Sequence, residues 1–191
     1  MVLNALLAGE PVVLPTDTVY GVCALPTEYA VRRLRALKGT PDAQPISLLC
    51  ADVESLLERV PALRGRPELA LLPGAFTLIV PNPERAYPWL SGSRPETLGV
   101  RVPVLGAAAR AVVSSAGGVA ATSANLHHGP DPRRLESVPP EIQAGCGALL
   151  DGGELPGTPS TVIDFTGPEP RVLREGAAAS ADAIRRVRAH H

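Results

Sequence analysis

Short apolar runs of strand length alternate with amphipathic helical patterns along this chain, and that alternation restricts the fold more than any other feature. Strands are predicted at 11–16, 45–50, 76–81, 97–103, 119–125, 160–165 and 170–176. Helices are predicted at 2–10, 27–39, 51–60, 67–73, 105–118, 139–145 and 180–189. Because the last two strands follow each other like a hairpin, the expected fold class is α/β, with a twisted, mixed parallel and antiparallel sheet and flanking helices.

The segment 27–39 carries the clearest helical pattern. Thr27 is the expected N-cap, Gly39 ends the helix, and apolar residues lie between them at helical spacing. Ser180 is expected to cap the closing helix in the same way.

Length and composition favour a single domain over 1–191 with an aliphatic core. Hydrophobic residues make up 45% of the chain and aromatic residues only 3%, so Val, Leu and Ala must fill the core. The scarcity of aromatic residues also argues against a stacking platform for single-stranded nucleic acid. A net charge of −1 provides no overall basic field for nucleic acid, although a local basic groove stays open.

Cys23, Cys50 and Cys146 lie far apart without a Cys-x-x-Cys spacing, which argues against a disulfide framework or a zinc site. They are interpreted as small buried hydrophobes in a reducing cytosol. The start of the chain lacks a basic signal-peptide region, and no apolar run approaches the ~20 residues of a membrane span. The sequence therefore predicts a cytoplasmic protein without membrane contact.

Lys38 is the single lysine among eighteen Lys and Arg residues, the other seventeen being Arg. This ratio indicates a coding bias toward arginine. A lysine that survives such a bias is expected to be needed for its shape, because a compact ammonium and a planar guanidinium are not interchangeable. Chance retention is the alternative.

Four polar stretches lie at the ends of the predicted elements. They are PTDTVYG (15–21), LKGTPDAQP (37–45), ATSAN (121–125) and PSTVIDF (159–165). Taken singly, each is typical of helix caps or turns. Together they predict a polar cleft at one edge of the sheet, whose hydroxyls, amides and cations suit phosphate and carboxylate groups.

The sequence contains none of the motifs HExxH, GxSxG or GxxxxGK[ST]. Metalloprotease, serine-hydrolase and P-loop functions therefore lose their main support. His127 and His128 lie in a Gly- and Pro-rich loop, where exposure to solvent is expected in preference to a catalytic pair.

Eight blocks in a fixed order carry a resemblance to a known family. They are VVLPTDTVYGV, the helix ending LKG, PISLL, PGAFTLIVP, LGVRVP, ATSANL, STVIDF and RVLREGA. From about residue 9 to 177 this set resembles the YrdC/Sua5/TsaC family, in the short form without the extra C-terminal domain of longer Sua5 proteins. The resemblance implies a YrdC-like twisted sheet that forms a deep, positively lined cavity.

The activity implied by this resemblance is the synthesis of threonylcarbamoyl-AMP by a nucleotidyltransferase. Such an enzyme combines L-threonine, bicarbonate or CO2 and ATP, and releases pyrophosphate. Mg²⁺ is the metal that could accompany ATP, and no protein metal ligand is predicted. The product passes to a threonylcarbamoyl transferase that modifies adenosine 37 of tRNA. Binding of tRNA or double-stranded RNA is implied for some members. The chemistry requires positioning and charge stabilisation more than acid–base groups.

The resemblance also assigns roles to individual positions. The threonine contacts are Thr16, Arg101 and Ser160, the ATP contacts are Lys38, Thr97, Ser123, Asn125 and Arg174, and the pocket-shaping residues are Tyr20 and Thr18. Arg101 is expected to hold the threonine carboxylate through two parallel hydrogen bonds. Lys38 is the expected catalytic residue, because its flexible stem can bring a compact charge to phosphate oxygens.

Three positions depart from the family pattern. Thr40 stands where the family has the arginine of its Lys-x-Arg motif, Leu49 where histidine is frequent, and Gln44 where asparagine is usual. The missing arginine removes charge-assisted hydrogen bonds worth about 1.5–3 kcal/mol each, unless Arg35 or Arg133 replaces them.

Two other functions stay open at this point. One is a YciO-like paralogue with weak catalysis, acting as a nucleotide- or double-stranded-RNA-binding translation or ribosome-maturation factor. The other is carbamoyl transfer as in hydrogenase-maturation proteins. It ranks last, because the chain has neither the length nor the Cys-x-x-Cys pairs of those proteins.

Overall fold

A computed structural model describes residues 1–126 and 129–189 of the chain. The strands are β1 (Val12–Pro15), β2 (Tyr20–Ala24), β3 (Ser47–Leu49), β4 (Phe76–Pro81), β5 (Thr97–Arg101), β6 (Val119–Ser123), β7 (Ala148–Leu149), β8 (Thr161–Asp164) and β9 (Arg171–Arg174). The α-helices are α1 (Val2–Leu7), α2 (Glu28–Lys38), α3 (Val53–Arg59), α4 (Ala107–Ala116), α5 (Pro140–Gly145) and α6 (Ser180–Arg188). Short 3₁₀ helices lie at Pro61–Leu63, Pro67–Leu71, Pro88–Leu90 and Leu135–Ser137.

All the described strands join one sheet in the order β7-β1-β2-β6-β3-β5-β4-β8-β9. The pairs β1–β7, β3–β5 and β4–β8 are parallel, and the other five neighbouring pairs are antiparallel. The predicted α/β class with a mixed sheet is confirmed, as is the predicted hairpin of β8 and β9.

The two faces of the sheet have different contents, because successive side chains of a strand point to opposite faces. On the first face, residues such as Val22 and Leu48 pack against α2, α3, α5 and α6 in the main core. On the second face, Leu6 of α1 and Val113 of α4 pack against residues such as Cys23 of β2. The strand residues in this second cluster come from β1, β2, β3, β6 and β7, so α1 and α4 cover one half of the face.

The ends of α2 lie where the sequence predicts them. The Thr27 hydroxyl accepts a hydrogen bond from the Ala30 amide at 3.3 Å, and Gly39 ends the helix with a left-handed φ of 62°. The prediction that Ser180 caps the closing helix is wrong. Ala179 is the N-cap of α6, and the Ser180 hydroxyl donates instead to the Glu175 carboxylate.

Two short strands, β2 and β7, are absent from the predicted elements. The first two residues of β2, Tyr20 and Gly21, belong to the polar block at 15–21, so the apolar pattern of this strand is masked by the turn before it. The predicted helix at 67–73 is a 3₁₀ helix over Pro67–Leu71, with prolines at both ends of the segment.

The interpretation of the cysteines as buried hydrophobes is confirmed for Cys23 and Cys50, which are buried free thiols, while Cys146 is half-buried. Burial raises the pKa of the Cys23 and Cys50 thiols to about 12. Both therefore stay protonated and poorly nucleophilic at neutral pH. In the part of the chain that the structure describes, no helix has the length and apolar character needed to cross a membrane.

Candidate active site

A cavity of about 250 Å³ lies against the half of the second sheet face that α1 and α4 leave uncovered. Its lining includes residues of β2, β3, β4, β5, β6 and β8. The lining residues of β3, β4 and β5 alternate along each strand, as expected for side chains that point to one face. The polar lining residues are Thr16, Thr18, Gln44, Ser47, Thr77, Arg101, Thr122, Ser123, Ser160 and Arg174. The four polar stretches of the sequence therefore meet at one place, although they are far apart along the chain.

Small side chains on neighbouring strands create the hollow. Gly21, Ser47, Gly99 and Ala121 all line it, where larger residues would fill the space between the strands and solvent. A Cβ atom added at Gly99 would lie 3.3 Å from the Ser47 hydroxyl and 3.4 Å from the Ile79 side chain. The cavity thus follows from residue size at alternating strand positions.

Thr16 organises the turn between β1 and β2. Its hydroxyl donates to the Val19 carbonyl at 2.7 Å and accepts the backbone amides of Thr18 and Val19 at 3.2 and 3.3 Å. The Thr16 and Thr18 hydroxyls also lie 3.0 Å apart. This turn brings both threonines to the cavity wall.

Arg101, at the end of β5, brings a guanidinium into the wall of the cavity. Its Nη2 donates to Asp17 Oδ1 at 3.1 Å and to the Thr18 hydroxyl at 3.3 Å. Burial lowers the pKa of Arg101, and the neighbouring Asp17 carboxylate opposes that shift. The Arg101 Nε is buried and has no hydrogen-bond partner among the described residues, so it is an unsatisfied donor inside the wall, while the residue itself lines the cavity.

Lys38 lies just outside the cavity lining, at the end of α2. Its Nζ donates to Asn125 Oδ1 at 3.2 Å, to the Thr122 hydroxyl at 3.4 Å and to the Ser123 carbonyl. The side chain is 5% exposed, and burial lowers its pKa to about 8, while the charge of Asp131 acts in the opposite direction. The lysine is therefore joined by hydrogen bonds to two residues of the cavity wall.

Asn125 links this lysine to the end of β6. Its Oδ1 also accepts the Ser123 hydroxyl at 2.6 Å, and its Nδ2 donates to the Gly129 carbonyl at 2.6 Å. Ser123 lines the cavity and Asn125 does not, so the amide lies behind the groups that face the hollow.

Ser160 and Arg174 form another part of the cavity wall. Arg174 Nε and Nη2 both donate to the Ser160 carbonyl, at 3.1 and 2.9 Å, and Nη2 also lies 3.3 Å from the Ser160 hydroxyl. The Ser160 hydroxyl is 2.7 Å from that of Thr77 on β4. These hydrogen bonds fix Arg174, the second arginine of the cavity, beside Ser160, the residue before β8.

Besides Lys38 and Asn125, two more of the predicted site residues do not line the cavity. Thr97 begins β5, four residues before Arg101, and its hydroxyl donates to the Arg94 carbonyl at 2.9 Å. Tyr20 is buried in the main core on the first sheet face. Its hydroxyl lies 2.9 Å from Asp151 Oδ1 and 2.8 Å from the Gly153 carbonyl oxygen, which share its one proton, so it holds a loop and does not line this hollow.

The positions that depart from the family pattern have distinct surroundings. Leu49 and Gln44 line the cavity, and the Thr40 hydroxyl is buried without a partner among the described residues. Neither arginine named as a replacement lines the cavity: Arg35 donates to the Pro41 and Trp89 carbonyls, and Arg133 pairs with Glu154 at 2.5 Å. The structure therefore assigns both to other parts of the fold.

Sequence reasoning missed the lining residues Ser47 and Thr77, for which a single hydroxyl inside an otherwise apolar strand was the available signal. Thr122 lies in the predicted polar stretch 121–125 but was given no role of its own. The predicted solvent exposure of His127 and His128 lies outside the described residues. Among residues 1–126 and 129–189, no three His, Cys, Asp or Glu side chains lie together as a metal site.

Comparisons with known proteins agree with this geometry. The Sua5/YciO/YrdC family profile, described as "Telomere recombination", matches residues 4–176. A Pyrococcus abyssi protein named threonylcarbamoyl-AMP synthase is 33% identical over 173 residues, which are 88% of this chain and 51% of that protein. A Stenotrophomonas maltophilia protein of the same name is 34% identical over 77% of this chain and 82% of its own length.

Two solved structures share the architecture. Pyrococcus abyssi Sua5 complexed with L-threonine superposes with a TM-score of 0.85 at 29% identity, over 96% of this chain and 55% of that one. Escherichia coli YciO superposes with a TM-score of 0.76 at 26% identity, over 95% of this chain and 90% of that one. The chain thus spans about half the length of the Pyrococcus abyssi relative and most of YciO.

Proposed function

Because the chain belongs to the Sua5/YciO/YrdC family, we propose that it is a threonylcarbamoyl-AMP synthase, a nucleotidyltransferase that uses L-threonine, bicarbonate or CO2 and ATP. The observation that carries the proposal is the single cavity lined by Thr16, Arg101, Ser123, Ser160 and Arg174, which come from separate parts of the chain. Relatives of the same name and the threonine complex of a structural neighbour support the choice of substrates.

The threonine end of the cavity is proposed at Arg101. Its guanidinium belongs to a residue that lines the cavity, and a carboxylate is the ligand with which such a group pairs most strongly. The Thr16 and Ser160 hydroxyls line the same cavity and are proposed as further threonine contacts. Thr18 is proposed to support this end through its contact with Arg101.

The phosphate end is proposed at Lys38, Ser123 and Arg174. Lys38 reaches the cavity wall through its hydrogen bonds to Thr122 and Ser123, and Arg174 lines the cavity itself. Asn125 is proposed to act here by holding Lys38, because it lies behind the lining. Mg²⁺ would enter with ATP, since this ion is usually bound by substrate phosphates and one or two carboxylates.

The reaction would proceed mainly by positioning. The amine nitrogen of threonine bonds to the carbon of CO2 and releases a proton to water. An oxygen of the resulting carbamate then bonds to the α-phosphorus of ATP, and the bond from that phosphorus to the bridging oxygen breaks, which releases pyrophosphate. Fixed cations stabilise the charge that moves onto the phosphate oxygens. The product would pass to a transferase that modifies adenosine 37 of tRNA in the cytoplasm.

The test is incorporation of radiolabelled bicarbonate into threonylcarbamoyl-AMP, with pyrophosphate release that requires L-threonine. We expect Lys38→Ala to lower the rate about tenfold to a hundredfold, because a charge-assisted contact is lost. Arg110→Ala, which removes a cation that is 56% exposed outside the cavity, is the control and should keep the rate. A folded protein without threonine-dependent pyrophosphate release at saturating substrates would reject the proposal.

One observation favours the alternative, a weakly active YciO-like protein. Thr40 stands where the family has arginine, and its buried hydroxyl has no partner among the described residues. If the rate is limited by this position, Thr40→Arg should raise it. RNA binding that falls steeply with added salt, in a protein without synthase activity, would favour the alternative.

A further inference from the structure

Asp17 lies in the β1–β2 turn and is hydrogen-bonded to the end of β5 and to the segment that follows it. Its Oδ1 accepts the Arg101 Nη2 at 3.1 Å, and its Oδ2 accepts the Val104 backbone amide at 3.1 Å. The Asp17 and Arg101 side chains are each 12% exposed. Because both oxygens have a partner on the same neighbouring segment, the carboxylate has little freedom to rotate.

Asp17 contacts Arg101 from behind the cavity. Thr16, Thr18 and Arg101 line the hollow, and Asp17, which lies between the two threonines in sequence, does not. The backbone turn that the Thr16 hydroxyl stabilises explains this arrangement, since it directs the residues before and after Asp17 inward. A ligand in the cavity would therefore contact the arginine and not the aspartate.

We propose that Asp17 is a positioning residue that fixes the Arg101 guanidinium in the cavity wall, so that the guanidinium is presented to the carboxylate of the amino-acid substrate. This inference rests on the proposed function, which it deepens by naming what orients the carboxylate contact. An arginine side chain has many rotamers, and holding one of them before binding reduces the entropy that the ligand must offset. The Thr18 hydroxyl, 3.3 Å from the same Nη2, is the neutral partner in this arrangement.

The experiment compares Asp17→Asn with wild type by calorimetric titration of L-threonine and of ATP. The substituted amide keeps an acceptor but loses the charge, and we expect L-threonine to bind about tenfold to a hundredfold more weakly. The affinity for ATP should stay within about twofold, and the KM for threonine should rise more than kcat falls. Asp17→Asn added to Arg101→Met should cause no further loss, because its target is then absent.

Asp164→Asn is the matched control. Asp164 Oδ2 also lies 3.1 Å from an arginine, the Nη1 of Arg94, its side chain is 6% exposed, and neither residue lines the cavity. This variant should leave L-threonine affinity unchanged. The positioning role would be refuted if Asp17→Asn bound L-threonine within about twofold of wild type, or if its affinity for ATP fell as much as its affinity for L-threonine. It would also be refuted if Asp17→Asn lowered L-threonine affinity further in the Arg101→Met background.

A spectroscopic measurement separates this inference from the proposed function. The Nε–H signal of Arg101 in a ¹⁵N spectrum should be protected from solvent exchange in wild type and lose that protection in Asp17→Asn. If wild type bound no L-threonine, the proposed function would fail, and this signal alone would decide whether Asp17 positions Arg101. If Asp17→Asn did not fold, Thr18→Val, which removes the other acceptor of Nη2, would be measured in its place, with a smaller loss of the same protection expected.

Discussion

Lys38 carries its charge at a position that the fold shields from water. Its side chain is 5% exposed and its hydrogen-bond partners are a carbonyl, an amide oxygen and a hydroxyl, with no carboxylate within salt-bridge distance among the described residues. Such a site stabilises an ammonium less than water does, which is why burial lowers the pKa. Because no carboxylate in the part of the chain that the structure describes pairs with the Lys38 ammonium there, its charge is available to an anion that binds nearby.

This shift predicts a pH dependence of stability. The pKa of Lys38 is about 8 in the folded protein against an ordinary value of 10.5, so the unfolded chain binds more protons between these values. The free energy of unfolding of wild type relative to Lys38→Met should therefore rise as the pH increases from 8 toward 10.5, by on the order of 3 kcal/mol over the whole range. Urea unfolding of both proteins from about pH 7 to 10 measures it, and a difference that is flat or falls with pH would contradict the buried charge.

Gly99 keeps the cavity open by its lack of a side chain. Gly99→Leu should place its side chain in the hollow, because the Cβ already meets Ser47 and Ile79 at 3.3 and 3.4 Å. We expect L-threonine binding to fall more than about tenfold in calorimetry, with the near-UV circular dichroism of the fold retained. Gly106→Leu is the control, since a Cβ at that position meets nothing within 4 Å. Equal binding by Gly99→Leu and wild type would place the substrate elsewhere.

At the scale of elements, the segment 151–159 connects two distant parts of the sheet. It leads from β7 at one edge to β8 near the other, and it has no regular secondary structure. The Tyr20 hydroxyl is hydrogen-bonded to Asp151 and Gly153 at the start of this segment. Nearer its end, the Gly157 amide donates to the Thr18 carbonyl at 2.9 Å. The end of this connection carries Pro159 and Ser160 into the cavity wall.

Tyr20→Phe should therefore loosen this connection. The change removes the hydroxyl proton that Asp151 and the Gly153 carbonyl share, and the acceptor of the Gly152 amide, with an expected loss of about 1–3 kcal/mol in unfolding free energy. A glutamate-specific protease should cut after Glu154 faster in the variant, as mass spectrometry of the fragments would show. Tyr29→Phe, at an exposed tyrosine, should be cut like wild type. An unchanged rate after Glu154 in Tyr20→Phe would mean that the hydroxyl does not hold the loop.

At the scale of the whole molecule, the sheet has one face that packs in the main core and a second face that helices cover over only one half. The central strand β3 takes part in both, because Leu48 packs in the main core while Ser47 and Leu49 line the cavity. The cavity wall and the main core thus depend on the same backbone. We expect the chain to behave as the single domain that its length predicts.

Leu48→Ala tests this coupling. Leu48 is fully buried, and its truncation should cost about 2–5 kcal/mol of unfolding free energy. Far- and near-UV circular dichroism should show one coincident transition in wild type and in the variant. Leu173→Ala, at a residue that is 47% exposed on β9, should change the free energy by less than about 0.5 kcal/mol. Two separate transitions would show that the chain contains more than one folding unit.

The sequence by itself determined the α/β class, the bounds of α2, the β8–β9 hairpin and the polar stretches that meet at the cavity. These features depend on hydrophobic periodicity, capping residues and glycine positions, which act within a few residues of the chain. The family resemblance named Thr16, Arg101, Ser123, Ser160 and Arg174, and the structure brings these five to one cavity.

Only the tertiary structure decided the strand order, the place of Tyr20 and Thr97 outside the cavity, and the support of Arg101 by Asp17. Each depends on pairing between segments that are far apart in sequence, so no local pattern encodes it. The side of the sheet that a strand residue faces is likewise settled by register: Tyr20 points to the core, and its neighbour Gly21 points to the cavity. Local sequence sets which groups are available, and the long-range pairing of strands sets which of them meet.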